Sequence, residues 1–406
     1  MNRERFQELA GGITAVRGVR AAGVHCGIKK AKPDLALIQA AEPCPVAGVF
    51  TTNRVKAAPV LWSQKRLREG RRLSAIVVNS GNANACTGLQ GLQDAEKMAQ
   101  LTAAAVGCPE EETFVCSTGI IGRTLPMDRV AWGIREAAAR LREEGGPEAA
   151  RAIMTTDTVP KEAAVALDVE GRRVHVAGMT KGAGMIAPRM ATMLGFLATD
   201  AVLQAPDLQA LLLEAVDRSF HCITVDGDTS TNDTVLCFAT GKAGGPPLHP
   251  GAPGWTVFRE ALMEVTRTLA KKIVADGEGA TKLVTVQVAG APSPEAARRI
   301  ALGVANSPLV KTAFFAQDCN WGRIMAAIGA SGVDVDPDAI NIRIGEVPVV
   351  SGGVGLGSRA EEAAHKVMTL REFVVAVDLN RGEGAAVVWT TDLGYEYVRA
   401  NVLYRS

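Results

Sequence analysis

The sequence predicts an α/β protein with more than one lobe. Short apolar runs that are typical of strands alternate along the chain with amphipathic helical runs such as 90–106 and 255–275. At 406 residues the chain is long enough to bury a large core and to form a second lobe. The Gly- and Pro-rich stretch 244–253 is the clearest linker, and the sequence after it predicts a smaller α+β lobe from about 281 to 406.

The first half of the chain supplies most of the predicted sheet. Apolar runs bounded by turn residues predict strands of an antiparallel or mixed sheet at 23–28, 34–40, 46–50, 73–79 and 113–117. Helical periodicity predicts helices at 55–67, 90–106, 127–144 and 147–154. Strands 163–169 and 174–179 flank the turn 170–172, which predicts a hairpin that leads to Lys181.

The second half continues the alternation of strands and helices. The run 192–198 is apolar without a break, which indicates a strand buried on both faces. A helix at 206–219 and a strand at 234–241 follow, then the helix 255–275. The runs 373–378 and 385–391 are separated by Gly-containing turn residues and predict a second hairpin.

Composition excludes several classes of function. Net charge is +1, so no general attraction to nucleic acid or to an acidic membrane is expected. Aromatic residues are only 4%, too few for a platform that stacks single-stranded bases. No apolar run approaches the roughly 20 residues of a membrane-spanning helix, and the charged N-terminus does not resemble a signal peptide. The sequence therefore predicts a cytoplasmic protein with no nucleic-acid or membrane partner.

Cysteine and histidine spacing predicts neither disulfides nor a metal site. The eight cysteines form no Cys-x-x-Cys pair, and the five histidines are scattered without metal-binding spacing. We interpret the cysteines as reduced and buried. The stretch from Asp226 alternates oxygen-bearing side chains, but its sixth position is Thr231 and its twelfth is Cys237, which excludes an EF-hand calcium loop. No cofactor is predicted.

The stretch 180–200 carries the strongest chemical signal. Lys181 lies in a glycine-broken segment, and Thr192 stands where a loop meets the strand 192–198. A threonine hydroxyl is a poor nucleophile without a base, and a threonine at the start of a chain can use its own α-amine. That function requires cleavage between Ala191 and Thr192. The local pattern alone favours an ordinary loop-to-strand junction with a buried threonine.

Several motifs together resemble the ornithine acetyltransferases, also called glutamate N-acetyltransferases, of arginine biosynthesis. The chain contains Ser-Thr-Gly, Thr-Thr-Asp-Thr-x-Pro-Lys, Lys-Gly-Ala-Gly-Met, Met-Ala-Thr-Met-Leu and Asp-Gly-Glu-Gly in the family's order. Arg189 differs from the family pattern, which has a smaller polar residue at this position. The resemblance implies an αββα-type sandwich that cleaves itself into an alpha fragment, 1–191, and a beta fragment, 192–406, with the nucleophile strand at 192–240. It also implies that the paired fragments assemble as a heterotetramer.

The resemblance further implies roles for individual residues. Thr192 is the expected nucleophile and also contacts substrate, and Thr118 with Gly119 is expected to stabilise the oxyanion. The other expected substrate-binding residues are Thr155, Lys181, Glu278, Asn401 and Ser406. Thr155 is chosen over Thr156 by its spacing from Thr192. Lys181 is expected to meet a carboxylate, whereas Glu278 and the terminal carboxylate would meet the ornithine amine.

The implied reaction transfers an acetyl group from N2-acetyl-L-ornithine to L-glutamate through an acetyl-threonine intermediate. Acetyl-CoA stays open as a second acetyl donor, since no coenzyme-binding motif is visible. Two alternatives also stay open. One is an amidase or aminopeptidase of the same self-cleaving class, in which water accepts the acyl group. The other is a non-enzymatic ligand-binding protein whose threonine never becomes terminal.

Overall fold

The computed structural model describes residues 6–187 and 193–403, which form two compact units. The first unit contains the chain up to His221 together with Asp228–Ile273. The second unit contains the short segment Cys222–Gly227 and the chain from Val274 onward. The predicted cleavage point after residue 191 falls inside the first unit.

Two sheets form the centre of the first unit. Its strands are β1 Gln7–Glu8, β2 Val19–Val24, β3 Leu35–Cys44, β4 Val46–Phe50, β5 Leu73–Asn82, β6 Thr113–Ile120, β7 Lys161–Val169, β8 Arg172–Lys181, β9 Leu194–Thr199 and β10 Thr234–Ala239. One sheet has the order β1-β7-β8-β9-β10-β4 and the other has the order β2-β3-β5-β6. In the larger sheet β8 and β9 are antiparallel, whereas β9 and β10 are parallel.

The two sheets pack face to face through apolar side chains. Strand alternation explains how: successive residues point to opposite faces, so Ile38 of β3 and Ile76 of β5 face the larger sheet. There they join one buried cluster with Phe196 of β9 and Phe238 of β10. The strand β9 is buried along its whole length, as its unbroken apolar sequence predicts.

Helices cover the outer faces of both sheets. The helices of the first unit are α1 Ala58–Arg68, α2 Gly88–Val106, α3 Met127–Ala139, α4 Gly146–Ala152, α5 Ala205–Asp217 and α6 Trp255–Ala275, the last of which runs just past the unit boundary. Leu37 and Val77 point away from the larger sheet and pack with Met98 of α2 and Ile134 of α3. On the opposite side, Leu269 of α6 approaches Gly178 of β8. The layers therefore follow the order helix, sheet, sheet, helix, which confirms the expected αββα sandwich.

The second unit is a smaller α+β structure with its own core. Its strands are β11 Leu283–Ala291, β12 Asn341–Ile344, β13 Val347–Ser351, β14 Val354–Gly355, β15 Glu372–Asp378 and β16 Gly384–Thr391. Its helices are α7 Pro294–Asn306, α8 Pro308–Ala316, α9 Trp321–Gly329, α10 Ser358–Met368 and α11 Tyr395–Leu403. The strands form one sheet in the order β14-β13-β12-β15-β11-β16. Val286 of β11, Ile300 of α7 and Phe314 of α8 are fully buried in its apolar core.

Sequence periodicity placed most elements correctly but misjudged one pairing. The predicted hairpin between 373–378 and 385–391 is wrong, because β15 and β16 are not neighbours. Strand β11 lies between them, parallel to β15 and antiparallel to β16. Helix α3 also ends at Ala139, earlier than predicted, and Arg142 then forms an isolated bridge with Ala21.

The cysteines are free thiols, and most of them are buried. The predicted burial is wrong for Cys86, which is exposed in a loop where its φ is 56°, and Cys108 and Cys222 are only half-buried. Among the described helices, none combines the length and the apolar sequence needed to cross a membrane. Residues 6–187 and 193–403 also contain no group of three or more His, Cys, Asp or Glu side chains arranged to hold a metal ion.

Candidate active site

Thr118 and Gly119 lie in the last part of strand β6, which the sequence predicts to end at residue 117. The parallel pairing of β5 and β6 continues through both residues, with Ser80 opposite Thr118 and Gly81 opposite Gly119. Gly119 has a φ of +131°, and a Cβ there would lie 2.4 Å from the backbone carbon of Gly81. Only glycine fits this close approach of two backbones. Thr118 is 3% exposed, so its hydroxyl lies at a shielded strand end.

Lys181 of the larger sheet is hydrogen-bonded to Thr118 of the smaller sheet in the first unit. Lys181 is the last residue of β8 and is 1% exposed, whereas the sequence places it in a loop. Its Nζ donates a hydrogen bond to Thr118 Oγ1 at 3.4 Å, near the long limit for such a bond. Two of the predicted site residues, 63 positions apart in the chain, are thereby brought together. Because the Thr118 oxygen accepts this bond, its own O–H stays available to donate.

Asp157 joins the segment that carries Thr155 to the end of β8. Its Oδ2 accepts from the backbone N–H of Thr155 at 2.9 Å, and its Oδ1 accepts from the N–H of Gly182 at 2.7 Å. Lys161 Nζ donates to Oδ1 at 2.6 Å, which makes a buried ion pair. Burial opposes ionisation of Asp157, but the charges of Lys181 and Lys161 outweigh it and hold the pKa of that carboxyl well below its usual range.

Lys29 is a second lysine in this region, and nothing in the sequence pattern points to it. Its Nζ donates to the carbonyl of Met154, the residue before Thr155, at 2.8 Å. Burial, and the like charges of Lys32 and Lys181, lower the pKa of Lys29 to about 8, against the opposing pull of Asp34 and Asp157. We call Lys29, Thr118, Gly119, Thr155 and Lys181 the strand-end site.

Asp233 holds the chain immediately after the predicted nucleophile. Its Oδ1 accepts from the backbone N–H of Met193 at 2.8 Å, and its Oδ2 has no hydrogen-bond partner among the described residues. Complete burial raises the pKa of Asp233 well above its ordinary value, although the Met193 N–H and the charge of Lys181 act in the opposite direction. The neighbouring Asn232 donates to the carbonyls of Ala83, just after β5, and of Ser117 in β6, so this segment is hydrogen-bonded to both chain segments.

The remaining predicted site residues fall into two groups. Ala191, Thr192 and Ser406 lie outside the described residues. Glu278 and Asn401 both belong to the second unit, where Asn401 Nδ2 donates to Glu278 Oε2 at 2.8 Å. These two residues are 123 positions apart in the chain, so the fold of the second unit brings this predicted pair together.

Comparison with known proteins gives one family over nearly the whole chain. Residues 20–406 match the ArgJ family. The arginine biosynthesis bifunctional protein ArgJ of Symbiobacterium thermophilum is 51% identical over 401 residues, 98% of this chain and 99% of that protein. Its namesake in Geobacter sulfurreducens is 50% identical over 392 residues, 96% of this chain and 100% of that protein. Among solved structures, the ornithine acetyltransferase complexed with ornithine from Mycobacterium tuberculosis is 47% identical and covers 45% of this chain and 98% of its own, with a TM-score of 0.42.

Proposed function

This chain belongs to the ArgJ family of arginine biosynthesis, and we propose that it transfers acetyl from N2-acetyl-L-ornithine to L-glutamate through an acetylated Thr192. The observation that carries the proposal is the contact between Lys181 and Thr118. It joins two motifs of the family at adjoining strand ends, and the segment that leads to Thr192 begins at Lys181. The site thus offers a candidate oxyanion donor and a cation.

Maturation comes first in this mechanism. The Thr192 hydroxyl attacks the carbonyl carbon of Ala191, the Ala191–Thr192 C–N bond breaks, and the amine nitrogen takes up a proton. Water then hydrolyses the resulting ester, which leaves a carboxylate on Ala191 and a free α-amine on Thr192. An unperturbed α-amine has a pKa of about 7.7–8.0, so a useful fraction is neutral near pH 7 and can act as the base.

Acetyl transfer then proceeds in two halves. The Thr192 amine takes the proton of its own hydroxyl, which attacks the acetyl carbon of acetylornithine. The Gly119 N–H and the Thr118 hydroxyl stabilise the oxyanion that develops, a contribution typically of about 3–4 kcal/mol for one such donor. Ornithine leaves with the proton on its amine. The amine of glutamate attacks acetyl-Thr192 in turn, which regenerates the hydroxyl and releases N-acetylglutamate.

The fragments are expected to stay associated after cleavage. The cut falls between β8 and β9, which are hydrogen-bonded neighbours in one sheet from Val176 opposite Thr199 to Lys181 opposite Leu194. We further propose that the paired fragments assemble as a heterotetramer in the cytoplasm, where the eight free thiols stay reduced. Native mass spectrometry measures that assembly directly.

The first test of the mechanism is the state of the chain. Intact-mass measurement and N-terminal sequencing of the purified protein should give two fragments, one ending at Ala191 and one beginning Thr-Met-Leu-Gly. Thr192→Ala removes the nucleophile and should leave a single chain with no transferase activity, whereas Thr192→Ser keeps a hydroxyl and should still cleave. A single wild-type chain with full activity contradicts the proposal.

The acceptor and the donor need a separate assay. Incubation of the mature protein with acetylornithine should give N-acetylglutamate only when glutamate is present. Release of acetate at the same rate without glutamate favours the amidase alternative instead. Replacing acetylornithine with acetyl-CoA tests the second donor, which the word bifunctional in the relatives' names motivates.

A further inference from the structure

Lys29 is a half-buried cation to which the proposed mechanism gives no role. Its ammonium group has three N–H donors, and the Met154 carbonyl accepts one of them at 2.8 Å. Within residues 6–187 and 193–403 no other acceptor lies within hydrogen-bond distance of this nitrogen. A partly buried ammonium group with donors to spare is suited to an anionic partner.

The stem of Lys29 lies against β5, the strand that pairs with the one carrying the predicted oxyanion residues. A Cβ on Gly81 would lie 2.8 Å from Lys29 Cγ, so the lysine stem rests directly against the backbone of Gly81. Gly81 pairs with Gly119 across β5 and β6. Lys29 therefore lies next to the Gly81–Gly119 pair at one edge of the strand-end site.

The other end of the same side chain approaches the substrate-binding segment. Met154, whose carbonyl it contacts, is followed by Thr155, and Asp157 ties Thr155 to Gly182 beside Lys181. Lys181 in turn contacts Thr118, the neighbour of Gly119. The contacts form a closed ring in the first unit, and Lys29 and Lys181 occupy different parts of it.

The carboxylate that acts most strongly on the charge of Lys29 already accepts several hydrogen bonds. It is Asp34, which accepts from the backbone N–H groups of Cys26, Gly27 and Lys29, at 2.6, 3.1 and 2.8 Å. Lys32 and Lys181 add like charges close to Lys29. An anionic ligand at the Lys29 ammonium group would offset this local positive charge.

We propose that Lys29 binds the α-carboxylate of the substrates through an N–H that the Met154 carbonyl leaves free. This inference rests on the proposed function, because acetylornithine and glutamate share an α-carboxylate and differ in side-chain charge. A cation that contacts the shared group serves both halves of the reaction. Lys29 is then a binding residue beside Lys181, supplied by a segment far from Thr192 in the sequence.

The test compares two ligands that differ only in the carboxylate. Binding of L-ornithine and of L-ornithinamide to the mature protein is measured by titration calorimetry, with no acetyl group present to react. Lys29→Gln keeps a donor for Met154 but loses the charge, Lys29→Arg keeps the charge, and Lys30→Met removes the charge of the exposed neighbour. Mass spectrometry and thermal unfolding first confirm that each variant is cleaved and folded.

The expected result is selective. Lys29→Gln should weaken ornithine binding about 10- to 100-fold, the range of one charge-assisted hydrogen bond, and change ornithinamide binding less than about twofold. Lys29→Arg should keep most of the preference for the carboxylate, and Lys30→Met should leave both affinities unchanged. Equal weakening of both ligands by Lys29→Gln, or no weakening of either, overturns the proposal. If Lys29→Gln does not fold, Lys29→Met removes the charge in its place, and the same outcomes support or overturn the proposal.

The test of Lys29 and the test of the proposed function can fail independently of each other. Calorimetry reports on Lys29 whether or not the wild-type protein turns over, and acetyl transfer by the wild-type protein is measured independently. Wild-type protein that transfers acetyl but binds ornithine and ornithinamide equally contradicts the role of Lys29 alone. Wild-type protein that prefers ornithine but transfers no acetyl to glutamate contradicts the proposed function alone.

Discussion

Asp157 shows how one buried side chain can organise a site without touching the reacting atoms. Its two oxygens receive a backbone N–H from each of two segments and the ammonium of Lys161, and the side chains of the ion pair are 0% and 1% exposed. Such a pair gains little net stability compared with apolar residues, but removing one partner leaves a buried charge uncompensated. Asp157 therefore fixes the geometry of Thr155 and Gly182 more than it stabilises the fold.

Substitution of Asp157 separates these two effects. Asp157→Asn should lower the free energy of unfolding by about 3–5 kcal/mol, because Lys161 loses its counter-charge. Adding Lys161→Met should recover most of that stability but not kcat/KM, since the amide has one acceptor oxygen and cannot accept from both Thr155 and Gly182. Urea unfolding is measured in the uncleaved Thr192→Ala background, and kinetics in the cleaved enzyme. Equal recovery of stability and kcat/KM contradicts the positioning role.

The sequence predicted site residues from motifs but did not predict three polar residues that make contacts around them. Thr118, Gly119, Thr155 and Lys181 were predicted because each belongs to a recognisable motif. Lys29, Asp157 and Asp233 act through partners in distant parts of the chain: the Lys29–Met154 contact spans 125 positions, for instance. Asp157 lies in the Thr-Thr-Asp-Thr-x-Pro-Lys motif, and its i,i+4 spacing to Lys161 was a usable signal of their ion pair.

At the scale of elements, the close approach of β5 and β6 determines where the predicted oxyanion residues, Thr118 and Gly119, lie. Local sequence ends β5 at residue 79 and β6 at residue 117, because glycines and polar residues follow. In the structure the parallel pairing continues to Asn82 and Ile120. Tertiary pairing overrides local propensity there, and the same non-local effect inserts β11 between β15 and β16.

Gly119 and Gly122 provide a matched pair of variants that tests the close packing of β5 against β6. Gly119→Ala places a methyl group 2.4 Å from the backbone of Gly81, so β5 and β6 must separate. Gly122 also has a positive φ, +81°, but a Cβ there would meet no atom within 4 Å. We expect Gly119→Ala to be the more destabilising by about 1–3 kcal/mol and to reduce kcat about 100-fold or more.

Urea unfolding and steady-state kinetics of the two variants provide the measurement. Gly122→Ala should keep most of the activity, since only its own backbone is strained. Equal losses of activity in both variants contradict the assignment of the Gly119 N–H to the oxyanion.

At the scale of the whole molecule, cysteine burial predicts the chemical reactivity of the native protein. Burial raises the pKa of Cys26, Cys44 and Cys237 to about 12, and raises that of Cys116 as well. A thiol that stays protonated and buried reacts slowly, because the thiolate is the nucleophile. Cys86 is the exposed thiol among the eight.

Thiol titration with an aromatic disulfide reagent checks this prediction. The native protein should show one fast-reacting thiol, and protein in denaturant should show eight. Cys86→Ser should abolish the fast phase, whereas the half-buried Cys108 and Cys222 should contribute only slower phases. A fast phase that persists in Cys86→Ser contradicts the described burial.

The order of strands in the larger sheet of the first unit also indicates whether folding precedes the proposed cleavage. Strands β9 and β10, which follow residue 191, lie between β8 and β4, which precede it. The uncut chain confines these four strands to a small volume, and that high effective concentration favours their assembly. Once the peptide is cut, unfolded fragments must find each other by diffusion. Under the proposed mechanism the chain therefore folds first and is cut afterwards, and cleavage makes its unfolding far harder to reverse.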